Sequence, residues 1–264
     1  MSAPPLRVTR EGAVATLTID RAEALNTLDF ALMDALLDGI AGVAADDSVR
    51  VLVLAGAGKH FMAGGDLRSF ASLLDQPGAA RAEVFRGLFA RLHAAIETLV
   101  RMPQITIAQV RGAAAGFGLS LLCACDLAIA AEDAYFSAAY RHVGLSPDGG
   151  GTFALPRLVG TRKALEIMLM AERFDAADAL RLGIVNRVVA VDALPQAVAE
   201  WAHSIALGPA LALRHTKRLI RESSARSLST QLNAEAESFM ACVADDDFVE
   251  GVRAFLAKRA PKFG

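Results

Sequence analysis

The chain has 264 residues, 54% hydrophobic and 21% charged, which suits one large domain, or a core with an appendage, around a sizeable apolar interior. A net charge of −2 gives no bulk attraction for nucleic acid, and three cysteines make no disulfide framework and fit a reducing compartment. Apolar runs are broken by Arg, Asp or Gly before about 18 residues, and a strand-like stretch begins by Val8, so a soluble cytoplasmic protein without a membrane span or leader is expected.

Val14 to Asp20 alternates, with Val, Leu and Ile assigned to one side and Thr to the other, apart from Ala15; it reads as a half-buried strand. Asp29 to Val43 has helical spacing at Leu32, Leu36, Ile40 and Val43, with Asp29 as the N-cap. Val49 to Ala55, apolar apart from Arg50, reads as a strand, Ala82 to Val100 as a long helix, and Ile105 to Val110 as another strand. Gly116 to Ala124 reads as a buried helix and Leu127 to Ala131 as a short strand. Cys123 and Cys125, in that apolar stretch, read as core packing. Strands alternating with helices predict an α/β fold with crossover connections. Beyond about residue 200 the pattern is helical at Trp201 to Leu207, Ala210 to Glu222, Leu228 to Val243 and Asp246 to Ala257. The expected division is a core over 1–200 and a helical region over 201–264, with a loose joint at Ser223 to Ser229.

Two apolar strands each run into a small-residue loop and then a helix: His60 to Leu67, and Arg111 to Gly118. Backbone N–H groups at a helix start lack partners and carry partial positive charge, so two such loops face to face could hold one developing oxyanion. Packing of helix on strand is the plainer explanation for either loop taken alone. A dinucleotide fingerprint fails, because Leu121 stands where the third glycine belongs. A phosphate loop fails at Val53 and His60, and Ser120 is not on a nucleophile elbow. The histidines are scattered without metal-binding spacing. Asp148 is a single acid between Pro147 and three glycines. By itself the segment is a turn that Asp stabilises; in a site, a lone carboxylate suits proton transfer better than metal binding.

Taken together, Glu23 to Asn26, Phe61 to Leu67, Gly112 to Asp126, Gly144 to Thr152 and the tail Glu250 to Arg259 resemble the crotonase superfamily, the enoyl-CoA hydratase/isomerase family, over nearly the whole chain. The resemblance implies an α/β spiral of ββα units with a C-terminal helical trimerisation region, built into trimers or hexamers. It implies an acyl-CoA thioester substrate, with CoA part of that substrate and no separate cofactor or metal. It places an oxyanion hole on the N–H groups of Gly65 and Phe117. Substrate and CoA contacts fall at Ala24, Leu25, Ala63, Asp66, Leu67 and Tyr140, and at Phe255 and Lys258, the last two often reaching a neighbouring subunit's site. Asp66 also reads as a helix cap. Hydratases of the family carry two glutamates, and these fall on Ser120 and Tyr140 here. Asp148 remains, and its segment is similar to the branch that isomerises ring-epoxide phenylacetyl-CoA and unsaturated acyl-CoA, in which an aspartate moves the proton. The expectation is therefore an acyl-CoA isomerase with Asp148 as acid/base. Enoyl-CoA hydration is the alternative. An aryl-CoA dehalogenase or hydrolase, with His93 or His142 as base, and a non-catalytic acyl-CoA binder also stay open. Arg141 and His142 are expected either to line the pocket or to form a surface ion pair.

Overall fold

Strands β1 (Leu6–Glu11) and β2 (Val14–Ile19) form an antiparallel hairpin at the edge of a six-stranded sheet in the computed structural model, which describes residues 4–264. Helix α1 (Phe30–Ala44) carries the chain to β3 (Val51–Gly56), which joins β2 in parallel. The Asp29 side chain accepts from the Leu32 N–H and caps α1 as expected. Along β2 the inward face is Ala15, Leu17 and Ile19, while Val14 shares the outer face with Thr16 and Thr18. The period of two puts residues 14, 16 and 18 together, so the expected grouping of Val14 with Leu17 and Ile19 is corrected.

The short α2 (Leu67–Phe70) and the long α3 (Gly78–Arg101) precede β4 (Ile105–Val110), parallel to β3. The glycine loop after β4 contains a strand of its own, β5 (Ala113–Ala115), ahead of the fully buried α4 (Phe117–Ala124). Then come β6 (Leu127–Ala131), parallel to β4, and β7 (Tyr135–Ser137), parallel to β5. Helices α5 (Gly151–Val159) and α6 (Thr161–Met170) lead to β8 (Phe174–Asp175), α7 (Ala176–Arg181) and β9 (Arg187–Val189). The large sheet runs β1-β2-β3-β4-β6-β9, and the small one β5-β7-β8.

Both faces of the large sheet are covered, which is why β3 is apolar along its length and β4 is apolar apart from Thr106 and Gln109. Leu52, Leu54, Ala108 and Val110 join the main core with α1 and α3, whereas Val51, Val53 and Ile107 pack on α8 (Leu194–Ala206). The division expected after residue 200 thus falls inside a helix whose Leu194, Val198 and Ala202 belong to the sheet's second core. The chain breaks instead at the turn after α8, before α9 (Ala210–Glu222), α10 (Leu228–Val243) and α11 (Asp246–Leu256).

Helix α9 is fastened to the core by charge. Lys217 is buried and its Nζ lies 2.8 Å from Asp126 and 2.7 Å from the Gln104 carbonyl. Arg221 grips Asp126 Oδ1 with two donors, and Thr106 donates its N–H and hydroxyl to Oδ2. Burial pulls the Lys217 pKa below its usual value, and Asp126 opposes that shift. Cys123 and Cys125 are buried free thiols, that of Cys123 pushed up by burial to about 12, so both are packing residues. No helix among the described residues is long and apolar enough to cross a membrane.

Candidate active site

Leu25 and Asn26 adopt left-handed backbone with φ of 54° and 57°. The Asn26 side chain, wholly buried, holds three segments together: it accepts from the Arg21 N–H and donates to the Ala57 and His60 carbonyls at 2.9 and 2.6 Å. The turn over residues 21–28 is thereby tied to the loop leaving β3. The Ala63 N–H donates to the Leu25 carbonyl, the Leu28 N–H to Gly64, and the Asp66 N–H to Leu28. Ala24, Leu25, Ala63, Gly65, Asp66 and Leu67 therefore share one neighbourhood, with Leu25 and Leu67 exposed.

Asp66 is committed to the protein. It caps α2, and its Oδ2 lies 2.9 Å from Arg21, which also pairs with Asp29. Burial raises the Asp66 pKa, but Arg21 and the Arg68 and Ser69 N–H groups outweigh it and hold the carboxyl below its usual range.

The second glycine loop runs beside the first. Met62 donates to the Ala113 carbonyl, and Ala115 donates to the Met62 carbonyl. A Cβ at Gly64 would stand 3.3 Å from the Ala115 carbonyl oxygen, and one at Gly116 would stand 3.4 Å from the Gly64 Cα. With φ of +93° and +53°, both positions also favour glycine by conformation. This contact places Gly65 next to the start of α4, where Phe117 has no intrahelical acceptor. Neither the Gly65 nor the Phe117 N–H donates to another group among the described residues. The neighbourhood thus holds two free backbone donors, as an oxyanion site requires.

Asp148 reaches the same region from the loop ahead of α5. A Cβ on Gly149 would fall 2.5 Å from the Phe117 ring and 3.2 Å from the Ser120 Cβ, so glycine lets this loop lie directly on α4. Tyr140 sits in a 3-10 turn over Ala139–Val143. Its hydroxyl donates to Asp148 Oδ1 at 2.5 Å and lies 3.1 Å from Ser120 Oγ. Burial raises the Asp148 pKa, opposed by the Tyr140 hydrogen bond and by His93 on α3. Burial and the neighbouring Asp148 charge push the Tyr140 hydroxyl up as well. The two positions on which the resemblance places the hydratase glutamates thus converge on Asp148, a wiring the spacing of 120, 140 and 148 does not reveal.

Aromatic rings bound the other side. Phe70 lies 3.1 Å from where a Gly65 Cβ would be, Phe85 meets Phe70 edge-on at 5.0 Å, and Phe89 lies 6.1 Å beyond Phe85. His93 then stacks on Phe89 at 5.7 Å. Positions 85, 89 and 93 repeat every four residues along α3, so the stripe runs from Gly65 to the group facing Asp148.

Other expected residues lie elsewhere. Arg141 turns to the carbonyls of Leu169 and Met170 at the end of α6, and it forms no ion pair among the described residues. His142 lies 3.4 Å from the Ala171 carbonyl. Phe255, 83% exposed on α11, and Lys258, left-handed just beyond it, project from the helical region and are not joined to the loops around Gly65 by any hydrogen bond among the described residues.

Residues 9–264 match the family described as enoyl-CoA hydratase/isomerase. Over 253 residues the chain is 34% identical to the 1,2-epoxyphenylacetyl-CoA isomerase of Escherichia coli (strain K12), covering 96% of this chain and 95% of that one. It is also 34% identical, over 255 residues, to the crotonyl-CoA hydratase of Syntrophomonas wolfei, with 96% and 95% covered. A solved enoyl-CoA hydratase from Polaromonas sp. JS666 superposes with a TM-score of 0.91 at 33% identity, covering 98% of this chain and 99% of that one.

Proposed function

The chain belongs to the enoyl-CoA hydratase/isomerase family, the crotonase superfamily, and within it we propose that it is an acyl-CoA isomerase whose one proton carrier is Asp148. Its fold is the α/β crotonase spiral with C-terminal helices that the resemblance implied. The observation that carries the isomerase reading is the hydrogen-bonded set at α4: Ser and Tyr stand where hydratases have glutamates, and both lead to a single carboxylate.

The thioester carbonyl oxygen accepts from the free N–H groups of Gly65 and Phe117. Asp148 takes a proton from the acidified acyl carbon. The C–H electron pair becomes the enolate double bond, and the carbonyl π pair moves to oxygen. Conjugation spreads the charge, and Asp148 returns the same proton to a different carbon as the carbonyl re-forms. No water, oxidant or second acid is consumed. The raised Asp148 pKa favours both halves, because a carrier that must accept and donate works best when its pKa approaches ambient pH. The aromatic stripe of Phe70, Phe85 and Phe89 supports a flat acyl group, enoyl or arylacetyl. Phe255 and Lys258 are assigned to CoA in an oligomeric neighbour's site. The exposed Leu228, Leu232 and Phe239 of α10 and Phe248, Val252 and Leu256 of α11 support a trimer or hexamer. A concentration-independent monomer in sedimentation would remove that assignment.

The test is a panel of 3-enoyl, 2-enoyl and arylacetyl CoA thioesters with product identification. Isomerised products are expected, and Asp148→Asn should lower kcat by about 10²- to 10⁴-fold while leaving acyl-CoA binding intact. Fast hydration of crotonyl-CoA with 3-enoyl-CoA untouched would overturn the reading in favour of a hydratase. A covalent aspartyl ester at Asp148, seen by mass spectrometry, would instead point to hydrolytic chemistry.

A further inference from the structure

We propose that Tyr140, held by Ser120, is a positioning residue that occupies one oxygen of Asp148 and reserves the other for the travelling proton. The inference rests on the isomerase reading and adds to it a division of labour within the carboxylate. Ser120 and Tyr140 are 1% and 9% exposed, so water does not compete for their hydroxyls. A tyrosine hydroxyl has one hydrogen, and a charged carboxylate only accepts. The 2.5 Å contact therefore runs from Tyr140 to Asp148 Oδ1, and the Ser120 hydroxyl donates in turn to the Tyr140 oxygen. The direction of the chain is fixed from its acceptor end.

Its geometry is held from behind. A Cβ on Gly151 would fall 2.5 Å from Ser120 Oγ, and one on Gly149 would fall 3.2 Å from Ser120 Cβ. The absence of side chains at Gly149 and Gly151 therefore lets the loop and the start of α5 lie against Ser120. When Asp148 becomes protonated on Oδ2, the Tyr140 bond persists but weakens, because a neutral carbonyl oxygen accepts less strongly than a carboxylate. A proton on Oδ1 would face the Tyr140 hydrogen and break the bond. Uptake and return consequently use one oxygen, on one face of the acyl group. Besides the Tyr140 hydroxyl, the Asp148 carboxyl has its own backbone N–H as a donor, and His93 from α3 is the titratable group whose charge acts on it.

The experiment titrates the Asp148 side-chain carboxyl directly, by carbon-13 NMR of aspartate-labelled protein, its signal assigned by its loss in Asp148→Asn. In Tyr140→Phe the midpoint should move upward by about one pH unit, since a charge-assisted hydrogen bond favouring the ionised form is gone. Ser120→Ala should move it in the same direction by less. The acidic limb of kcat/KM on the isomerised thioester should shift with it, and kcat should fall by less than about tenfold, because the base itself remains. Loss of packing alone would not displace a titration midpoint in a protein whose thermal transition is unchanged. An unmoved Asp148 midpoint in Tyr140→Phe overturns the proposal. Should that variant fail to fold, an unmoved midpoint in Ser120→Ala does so. Full turnover by Asp148→Asn would fell the isomerase reading instead, while the NMR titration would still decide the role of Tyr140.

Discussion

Replacing Gly149 by alanine should unsettle the site from its glycine loop without touching a polar group. The position has φ of +59°, and left-handed backbone costs a non-glycine residue about 1–2 kcal/mol. The added methyl would lie 2.5 and 2.7 Å from two ring carbons of Phe117. Phe117 is buried at the head of α4 and cannot swing into solvent, so the ring or the loop must shift. Overpacking of this kind costs about 1–3 kcal/mol. The expected loss is therefore about 2–5 kcal/mol, read as a lowered urea midpoint. Gly144→Ala is the matched control: φ is +69° there, but a Cβ would meet nothing within 4 Å. It should lose only the backbone contribution of about 1–2 kcal/mol. The difference between the two variants isolates the contact with Phe117. Equal losses, or a Gly149→Ala protein with undiminished stability and kcat, would refute the claim that this glycine seats the Asp148 loop on α4.

Below its ordinary pKa of 3.8 the Asp148 carboxyl is protonated in folded and unfolded chains alike. Its folded pKa is raised, so native stability contributed by this group falls as pH climbs from 3.8 through the folded value. The thermal midpoint of Asp148→Asn should thus gain on the wild type between acidic and neutral pH; a pH-independent offset would show that burial of the charge is not the cause. Lys217→Ala should cost about 3 kcal/mol in urea unfolding, because it strips a partner from a buried carboxylate. A loss under about 1 kcal/mol would mean that Arg221 and Thr106 suffice for Asp126. Lys258→Ala should weaken CoA binding about two- to fivefold at low salt and less at high salt, as an exposed ion pair is screened. Calorimetry giving wild-type protein equal affinity for CoA and dephospho-CoA would count against that placement.

Much of the scaffold is legible from periodicity. The helices over 210–222 and 228–243 and the strands over 105–110 and 127–131 have the bounds expected of them, because each is long or strongly patterned. The strand over 113–115 is not legible, because three alanines have no period; its pairing with residues 135–137 is a tertiary event. The face of Val14 goes astray when residues are sorted by β-propensity, since parity along the strand decides which side each one takes. In the site, Asp148 and the glycine loops stand out by composition, and their roles come from resemblance. The bond from Tyr140 to Asp148 cannot be read from the chain, since it depends on how a 3-10 turn, α4 and the head of α5 meet. The clamp of Asp126 by Lys217 and Arg221 joins residues more than ninety positions apart, and no local pattern announces it.

Asn26 has a consequence that reaches beyond the turn it occupies. Both donors of its amide nitrogen are used, on two carbonyls, and its oxygen receives one N–H. An aspartate of the same shape would set a charged acceptor against two acceptors, so the site tolerates the amide and rejects its acid. The backbone that would receive a thioester oxygen is therefore organised during folding by a side chain that touches no ligand. A ligand arriving there finds its donors already immobile, and little of its binding energy is lost to ordering them. Changes at position 26 should accordingly resemble active-site lesions in assay while leaving every residue that meets the ligand unaltered.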